Sequence, residues 1–324
     1  MKAAVYTAYG PPEVVQIKDV EKPVPKDNEV LLRVRAASVN PLDYHIMRGE
    51  VRLMRLMFGL RKPKWRPGRD VAGQVEAVGR NVTRFKPGDA AFGTCAGAFA
   101  EYACAKEQAL AVKPDNVTFE QAASAPVAAY TALQGLRDNG KLQPGQKVVV
   151  HGAAGGVGTF TVQIAKWYGA EVTGVCSSRN VDMLRSIGAD RVIDYTREDF
   201  TQSGQRYDLI FDLVSNHSLS DYRRVLNPAG IYLGAGVLGF ESVGGFLVRL
   251  ITAPVYSWFT SQKFGMSGAR ACKEDLAIVG ELIASGKVTP VIDRRYPLSE
   301  VAEAMRYLEE KHARGKVIIV CDSA

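Results

Sequence analysis

The chain has 324 residues, 47% of them hydrophobic and 23% charged, with 41 Lys and Arg against 34 Asp and Glu for a formal charge of +7. That length allows two domains with substantial cores. The positive excess is scattered rather than gathered into a basic stripe interleaved with aromatics, which argues against nucleic-acid binding and leaves room for an anionic small-molecule ligand.

Residues 1–120 read as β-rich: short apolar runs at Val30–Ala36, Val71–Val78 and Phe99–Cys104 alternate with turn signals such as Lys86-Pro87-Gly88-Asp89. The character changes near Thr118, where an Ala-rich, helix-like stretch runs over 118–136. From Val148 the pattern becomes strand, helix, strand, helix, strand. Lys147–His151, Glu171–Cys176, Arg191–Tyr195, Leu209–Val214 and Ile231–Ala235 are the expected strands. Phe160, Ile164 and Trp167 or Tyr168 share one face of an intervening helix. This alternation predicts a doubly wound parallel sheet. The tail, with helices expected at Ala271–Ser285 and Ser299–Glu309 and a strand at Lys316–Val320, returns to the style of the first domain. The expected division is therefore 1–120 and 266–324 for a β-rich domain and 121–265 for the doubly wound one.

The apolar stretch Leu238–Phe264 has an uncharged core, Leu250–Gln262, that is interrupted by Pro254 and falls short of the roughly 20 residues a bilayer span needs. It reads as a buried subdomain or an interface, with membrane-surface contact as a further reading. Tyr256 and Trp258 are expected in core packing or along a greasy acceptor pocket. The N-terminus, MKAAVYTAYG, does not read as a signal peptide. Cys95, Cys104, Cys176, Cys272 and Cys321 are odd in number and form no CxxC pair. The expected compartment is the reducing cytoplasm.

The strongest local motif is HGAAGGVG at His151–Gly158, which ends an apolar strand and opens a helix. Small residues there let the backbone approach a pyrophosphate, and the helix start offers free N–H groups and the positive end of its dipole. With Gly155 and Gly158 as the last two glycines of GxGxxG, Ala153 takes the first position. The end of the second strand, about 20 residues on, decides between nicotinamide cofactors, because an acid there would hold a ribose 2′-OH. Here it reads Cys176-Ser177-Ser178-Arg179-Asn180. Hydroxyls and one Arg suit a 2′-phosphate, hence NADPH. Helix capping by Ser178 and Asn180 and a solvated Arg179 would read the same.

SVNPLDYHIMRG (38–49), PGRDVAGQVEAVG (67–79), FKPGD (85–89), GAFAEY (97–102), AASAPVAAYTALQGL (122–136), HGAAGGVG, GADRVIDYT (188–196) and the tail GKVTPVIDRRYPLSEVAEAMRYLEEKHARGKVIIV (286–320) together resemble the quinone oxidoreductase (zeta-crystallin-like) branch of the medium-chain dehydrogenase/reductases. The resemblance spans nearly the whole chain. It implies a GroES-like catalytic domain, a Rossmann domain, an active site in the cleft between them, NADPH, and a homodimer. It also places Ser177, Arg179 and Tyr195 at the 2′-phosphate end. Thr131 and the Ala154-Gly155-Gly156-Val157 turn would lie along the nicotinamide and pyrophosphate.

Zinc alcohol dehydrogenases of the superfamily carry a Cys where this chain has Asn40, and a His-Glu pair where it has Arg69 and Asp70. A catalytic zinc needs three good ligands, and His45, His151, His217 and His312 read as too scattered to supply them. No metal is expected. Without a Lewis acid, hydride delivery to a quinone or an electron-poor C=C is favoured over carbonyl reduction. Asn40 is the leading polar candidate, although a turn residue before Pro41 reads identically. Asp43 would orient it or cap the following helix. Tyr44 and His45 are the candidate proton donors, against a structural role as the commoner reading of such residues beside a turn. Some enoyl thioester reductases carry a Tyr where Val51 stands, which counts against that subclass. A zinc-independent alcohol or aldehyde reductase and a non-catalytic NADPH-binding protein are the competing readings.

Overall fold

The computed structural model describes residues 1–49, 55, 56, 58–235 and 243–321, with side chains in the last stretch from 248 onward. Val51 lies outside the described residues. The chain divides into two compact units. The first comprises Met1–Val127, Ala271–Gly286 and Pro290–Ala324, and the second Ala128–Arg270 and Lys287–Thr289.

In chain order the strands are β1 (Lys2–Tyr6), β2 (Val15–Asp19), β3 (Glu29–Val39), β4 (Asp70–Val78), β5 (Ala90–Thr94), β6 (Tyr102–Lys106) and β7 (Leu110–Val112). The second unit then supplies β8 (Lys147–His151), β9 (Glu171–Cys176), β10 (Arg191–Asp194), β11 (Tyr207–Asp212), β12 (Leu226–Ala235) and β13 (Lys263–Ser267). The chain closes with β14 (Ile292–Pro297) and β15 (Lys316–Val320).

In the first unit β1 and β2 form an antiparallel pair, and a seven-stranded mixed sheet has the order β14-β15-β3-β4-β5-β7 with β6 also paired to β3. The long strand β3 organises this unit, since it bonds to β4, β6 and β15. Its Val30, Leu32 and Val34 share a fully buried core with Val71 and Val75 of β4 and with Val317 and Ile319 of β15. Val301, Ala304 and Met305 of the helix Val301–Glu309 press into the same core. The closing strand is thus a structural member of the unit that begins the chain. Burial of a Val or Ile of this kind contributes roughly 1.5–3 kcal/mol each.

In the second unit six strands run parallel in the order β10-β9-β8-β11-β12-β13. The order reverses between β8 and β11, which is where a doubly wound sheet opens a crevice beyond its strand ends. Strands buried on both faces read as near-continuous apolar runs, as Val148-Val149-Val150 does. Lys287–Thr289 is tied to this unit by Gln163, whose Oε1 accepts from Thr289 N at 2.7 Å and whose Nε2 donates to Thr289 O at 3.0 Å.

Candidate functional site

Four polar side chains converge in the interior of the first unit, and strand register explains how. In the β3–β4 pair Ser38 stands opposite Asp70. In the β15–β3 pair Val317 stands opposite Val39, so Lys316, one residue earlier on an antiparallel strand, arrives beside Asn40. Lys316 Nζ donates to Asn40 Oδ1 at 2.7 Å and lies 3.4 Å from Asp70 Oδ2. The same Oδ2 accepts from Ser38 Oγ and from Asn40 Nδ2, each at 2.8 Å, and Asp70 Oδ1 accepts from Val127 N at 3.0 Å. All four side chains are buried, none above 5% exposed. A buried charge persists only when paired and hydrogen-bonded, and this cluster meets that requirement internally.

The network fixes the Asn40 amide. Its oxygen faces an ammonium and one of its N–H groups faces a carboxylate, while a longer contact of 3.5 Å runs from Nδ2 to Ser38 O. Asn40 also precedes the helix α1 (Pro41–Arg48), and Asp43 caps that helix. Asp43 Oδ2 accepts from Asn40 N at 2.8 Å and Oδ1 from Gly68 N at 3.2 Å. Burial pushes the Asp43 carboxyl up to about 7, against the opposing pull of these two N–H donors. Tyr44 is buried in the core and its ring lies 4.4 Å, centroid to centroid, from that of half-buried His45.

At the sequence positions that carry zinc ligands in the wider superfamily, Asn40 and Asp70 are bound to each other and to Lys316, and Arg69 lies over the Trp65 ring at 4.8 Å. A divalent cation would have to displace an ammonium from this carboxylate, so the donor set does not fit one. Among the described residues no group of three or more His, Cys, Asp or Glu side chains is placed to hold a metal ion.

In the second unit the His151–Gly158 turn joins β8 to the helix α2 (Gly156–Trp167). Gly152 has φ +85°, and a Cβ on Gly158 would stand 2.3 Å from Gly152 O and 2.7 Å from the Ala153 backbone. Only glycine permits that approach of helix to turn. Ala153 is fully buried, its N–H bonded to Val175 O at 3.1 Å, and Ala154 is buried beside it. Gly155 caps the helix, whose first such bond runs from Thr159 N to Gly155 O, so the N–H groups of Gly156, Val157 and Gly158 precede any helical acceptor. This cradle fits a pyrophosphate. Thr131, on the helix Pro126–Gln134, is nearly buried in the same unit.

Ser177, Ser178 and Arg179 follow β9, with Ser178 and Arg179 exposed and Tyr195 61% exposed just past β10. The sequence alone did not place an acid here, but the β9–β10 register sets Asp194 opposite Cys176. Ser178 Oγ donates to Asp194 Oδ2 at 2.5 Å, and hydrogen bonds from Ser178 and Thr196 hold the Asp194 carboxyl below its ordinary range. Ser178 is thus engaged by Asp194 rather than capping a helix. Asn180 donates to Ser177 Oγ at 3.2 Å.

Two histidines expected to be scattered come together. His151 Nδ1 lies 3.1 Å from Asp212 Oδ1, and the His151 and His217 rings are 5.5 Å apart, packed with Phe200. His151 and Asp212 are opposite residues of β8 and β11, a pairing set by the parallel register and invisible in sequence spacing. Asp212 also accepts from Tyr232 OH at 2.8 Å and from the N–H groups of Val214 and Ser215, which fixes the loop after β11 at the switch point.

Comparison with known proteins adds an independent line. The family model described as the alcohol dehydrogenase GroES-like domain matches residues 26–115, and that of the zinc-binding dehydrogenases matches 187–319. A chloroplast envelope quinone oxidoreductase homolog of Arabidopsis thaliana is 33% identical over 98% of each chain. The chain belongs to the quinone oxidoreductase-like medium-chain dehydrogenase/reductases. Within this family an NADPH-dependent alkenal/one oxidoreductase of Arabidopsis thaliana is 32% identical over 98% of this chain and 79% of that one. The solved quinone oxidoreductase from Coxiella burnetii shares 30% identity and a TM-score of 0.86 over 99% of each chain. The two units are accordingly the family's GroES-like and Rossmann domains, and the chain is related throughout to oxidoreductases.

Proposed function

We propose that this family member is a zinc-independent, NADPH-dependent oxidoreductase that reduces a quinone or the C=C bond of an α,β-unsaturated carbonyl. The observation that carries the reading is the Lys316–Asn40–Asp70–Ser38 network, which engages Asn40 and Asp70 with an internal ammonium. Relatives named as quinone and alkenal/one oxidoreductases support the acceptor class.

The Ala153–Gly158 turn would hold the cofactor pyrophosphate, Thr131 would stand along the nicotinamide, and Ser177, Arg179 and Tyr195 would receive the 2′-phosphate. Bound there, NADPH supplies a hydride from nicotinamide C4. The protein's own contribution is electrostatic. The Lys316 ammonium on Asn40 Oδ1 polarises the amide, so the Nδ2–H held only by the long 3.5 Å contact to Ser38 O becomes a stronger donor that an acceptor oxygen can take over. Such a donor stabilises the enolate or hydroquinone oxyanion that develops as the acceptor is reduced. Asp43 fixes the Asn40 backbone, and Tyr44 and His45 on α1 are the candidate proton donors. We place the protein in the cytoplasm, as a homodimer.

Reduction of an enone with deuterium at C4 of NADPH tests the assignment. Label at the β-carbon is the expected result. Label at the carbonyl carbon would replace it with carbonyl reduction.

A further inference from the structure

The helix α3 (Val243–Ser257) is apolar on both faces. Its inner side is covered: Ala253 is fully buried, and the Tyr256 ring meets Phe264 of β13 edge-on at 5.0 Å. Its outer side is not. Val248, Ile251 and Val255 recur at helical spacing with 60%, 68% and 40% exposure, and the turn that follows presents Trp258 and Phe259 at 81% and 78%. The expected packing holds for Tyr256 and not for Trp258. An amphipathic surface helix turns polar residues to water, and a contiguous apolar stripe of this kind marks a contact surface.

Charge identifies the partner. No Asp or Glu occurs from 242 to 270, and Lys263 and Arg270 are exposed within that stretch, while Arg249 turns inward to donate to His217 O at 2.7 Å. Lys263 is exposed next to the aromatic turn, and Gln262 Nε2 donates to the backbone oxygen of exposed Arg223 at 3.2 Å, which brings a further basic residue to the same end. A second copy of this face would meet like charge with like charge. Among the described residues no helix is long and apolar enough to cross a membrane. An aliphatic stripe, a Trp-Phe tip and exposed basic side chains at its end are the features of an element that lies in the plane of an anionic lipid surface.

We propose that α3 and the Trp258–Phe259 turn dock the protein on an anionic bilayer surface, with the aromatic tip inserted at the headgroup level and Lys263 and Arg223 facing lipid phosphates. The proposal does not depend on the acceptor assigned above.

Co-sedimentation of the full chain with vesicles of three parts phosphatidylcholine to one part phosphatidylglycerol tests it, with a vesicle-free spin as control. The protein is expected to pellet with these vesicles, to remain mostly in solution with phosphatidylcholine alone, and to be released as salt shortens the range of the charge attraction. W258S/F259S, which alters only exposed side chains, is expected to lower the bound fraction on the order of tenfold with an unchanged melting curve, and Lys263→Glu to lower it by a smaller factor. Equal sedimentation of wild type and W258S/F259S would overturn the proposal. So would a wild-type dimer that ignores vesicles and becomes monomeric in W258S/F259S, since a second copy would then cover the stripe.

Discussion

Lys316→Met removes one charge from a buried pair and leaves the other. At 3.4 Å from Asp70 Oδ2, the attraction is about 5 kcal/mol at an effective dielectric of about 20. The hydrogen bond to Asn40 Oδ1 at 2.7 Å adds about 1.5–3 kcal/mol as a charged contact. Against these stands the cost of holding an ammonium out of water, which Met does not incur. Breaking a buried pair from one side costs roughly 3–5 kcal/mol in net stability, and that is the expected loss. Asp70→Asn in the same background removes the orphaned charge, so the double variant is expected to be more stable than the sum of the two single losses predicts, by roughly 1–3 kcal/mol. Urea unfolding of wild type, both single variants and the double variant completes the cycle. Losses that add to within about 0.5 kcal/mol would refute the claim that Lys316 and Asp70 act as one unit.

Arg179→Asp places a carboxylate where a 2′-phosphate is expected. Its KM for NADPH should rise roughly 10–100-fold, the equivalent of a lost charged hydrogen bond plus repulsion, with little change for NADH; equal losses would remove the 2′-phosphate assignment. Gly158→Ala drives a Cβ to 2.3 Å from Gly152 O, so NADPH affinity measured by fluorescence titration should fall at least about tenfold, and wild-type affinity would contradict the cradle. For Asp43 the folded carboxyl is raised from 3.8 to about 7. The stability it contributes is therefore present in full below the unfolded value and lost as pH rises through about 7. Asp43→Asn should flatten the fall in stability between those limits, and a wild-type slope in the variant would assign the titration elsewhere.

The sequence made the architecture legible where its signals are local. Val148-Val149-Val150 before a glycine turn announced the first strand of the Rossmann domain. What it concealed is set by register between distant strands. Lys316 opens an otherwise apolar strand 276 residues from Asn40, and only the β15–β3 pairing gives that charge a meaning. A lysine at the head of the run KVIIV was the available signal, since a charge beginning a buried strand needs a partner. Asp194 reached Ser178 and Asp212 reached His151 in the same way, across neighbouring strands. The helix α3 was legible as apolar, but which of its faces meets solvent depends on β13, and composition does not report that.

The most direct test of the proposed chemistry follows NADPH oxidation at its absorbance band against quinones, enones, aldehydes and ketones, with NADH in parallel and with a strong chelator present or absent. Turnover of quinones or enones, faster with NADPH than with NADH and indifferent to the chelator, is the result predicted. Activity confined to aldehydes and ketones, or abolished by the chelator and restored by zinc, would contradict it.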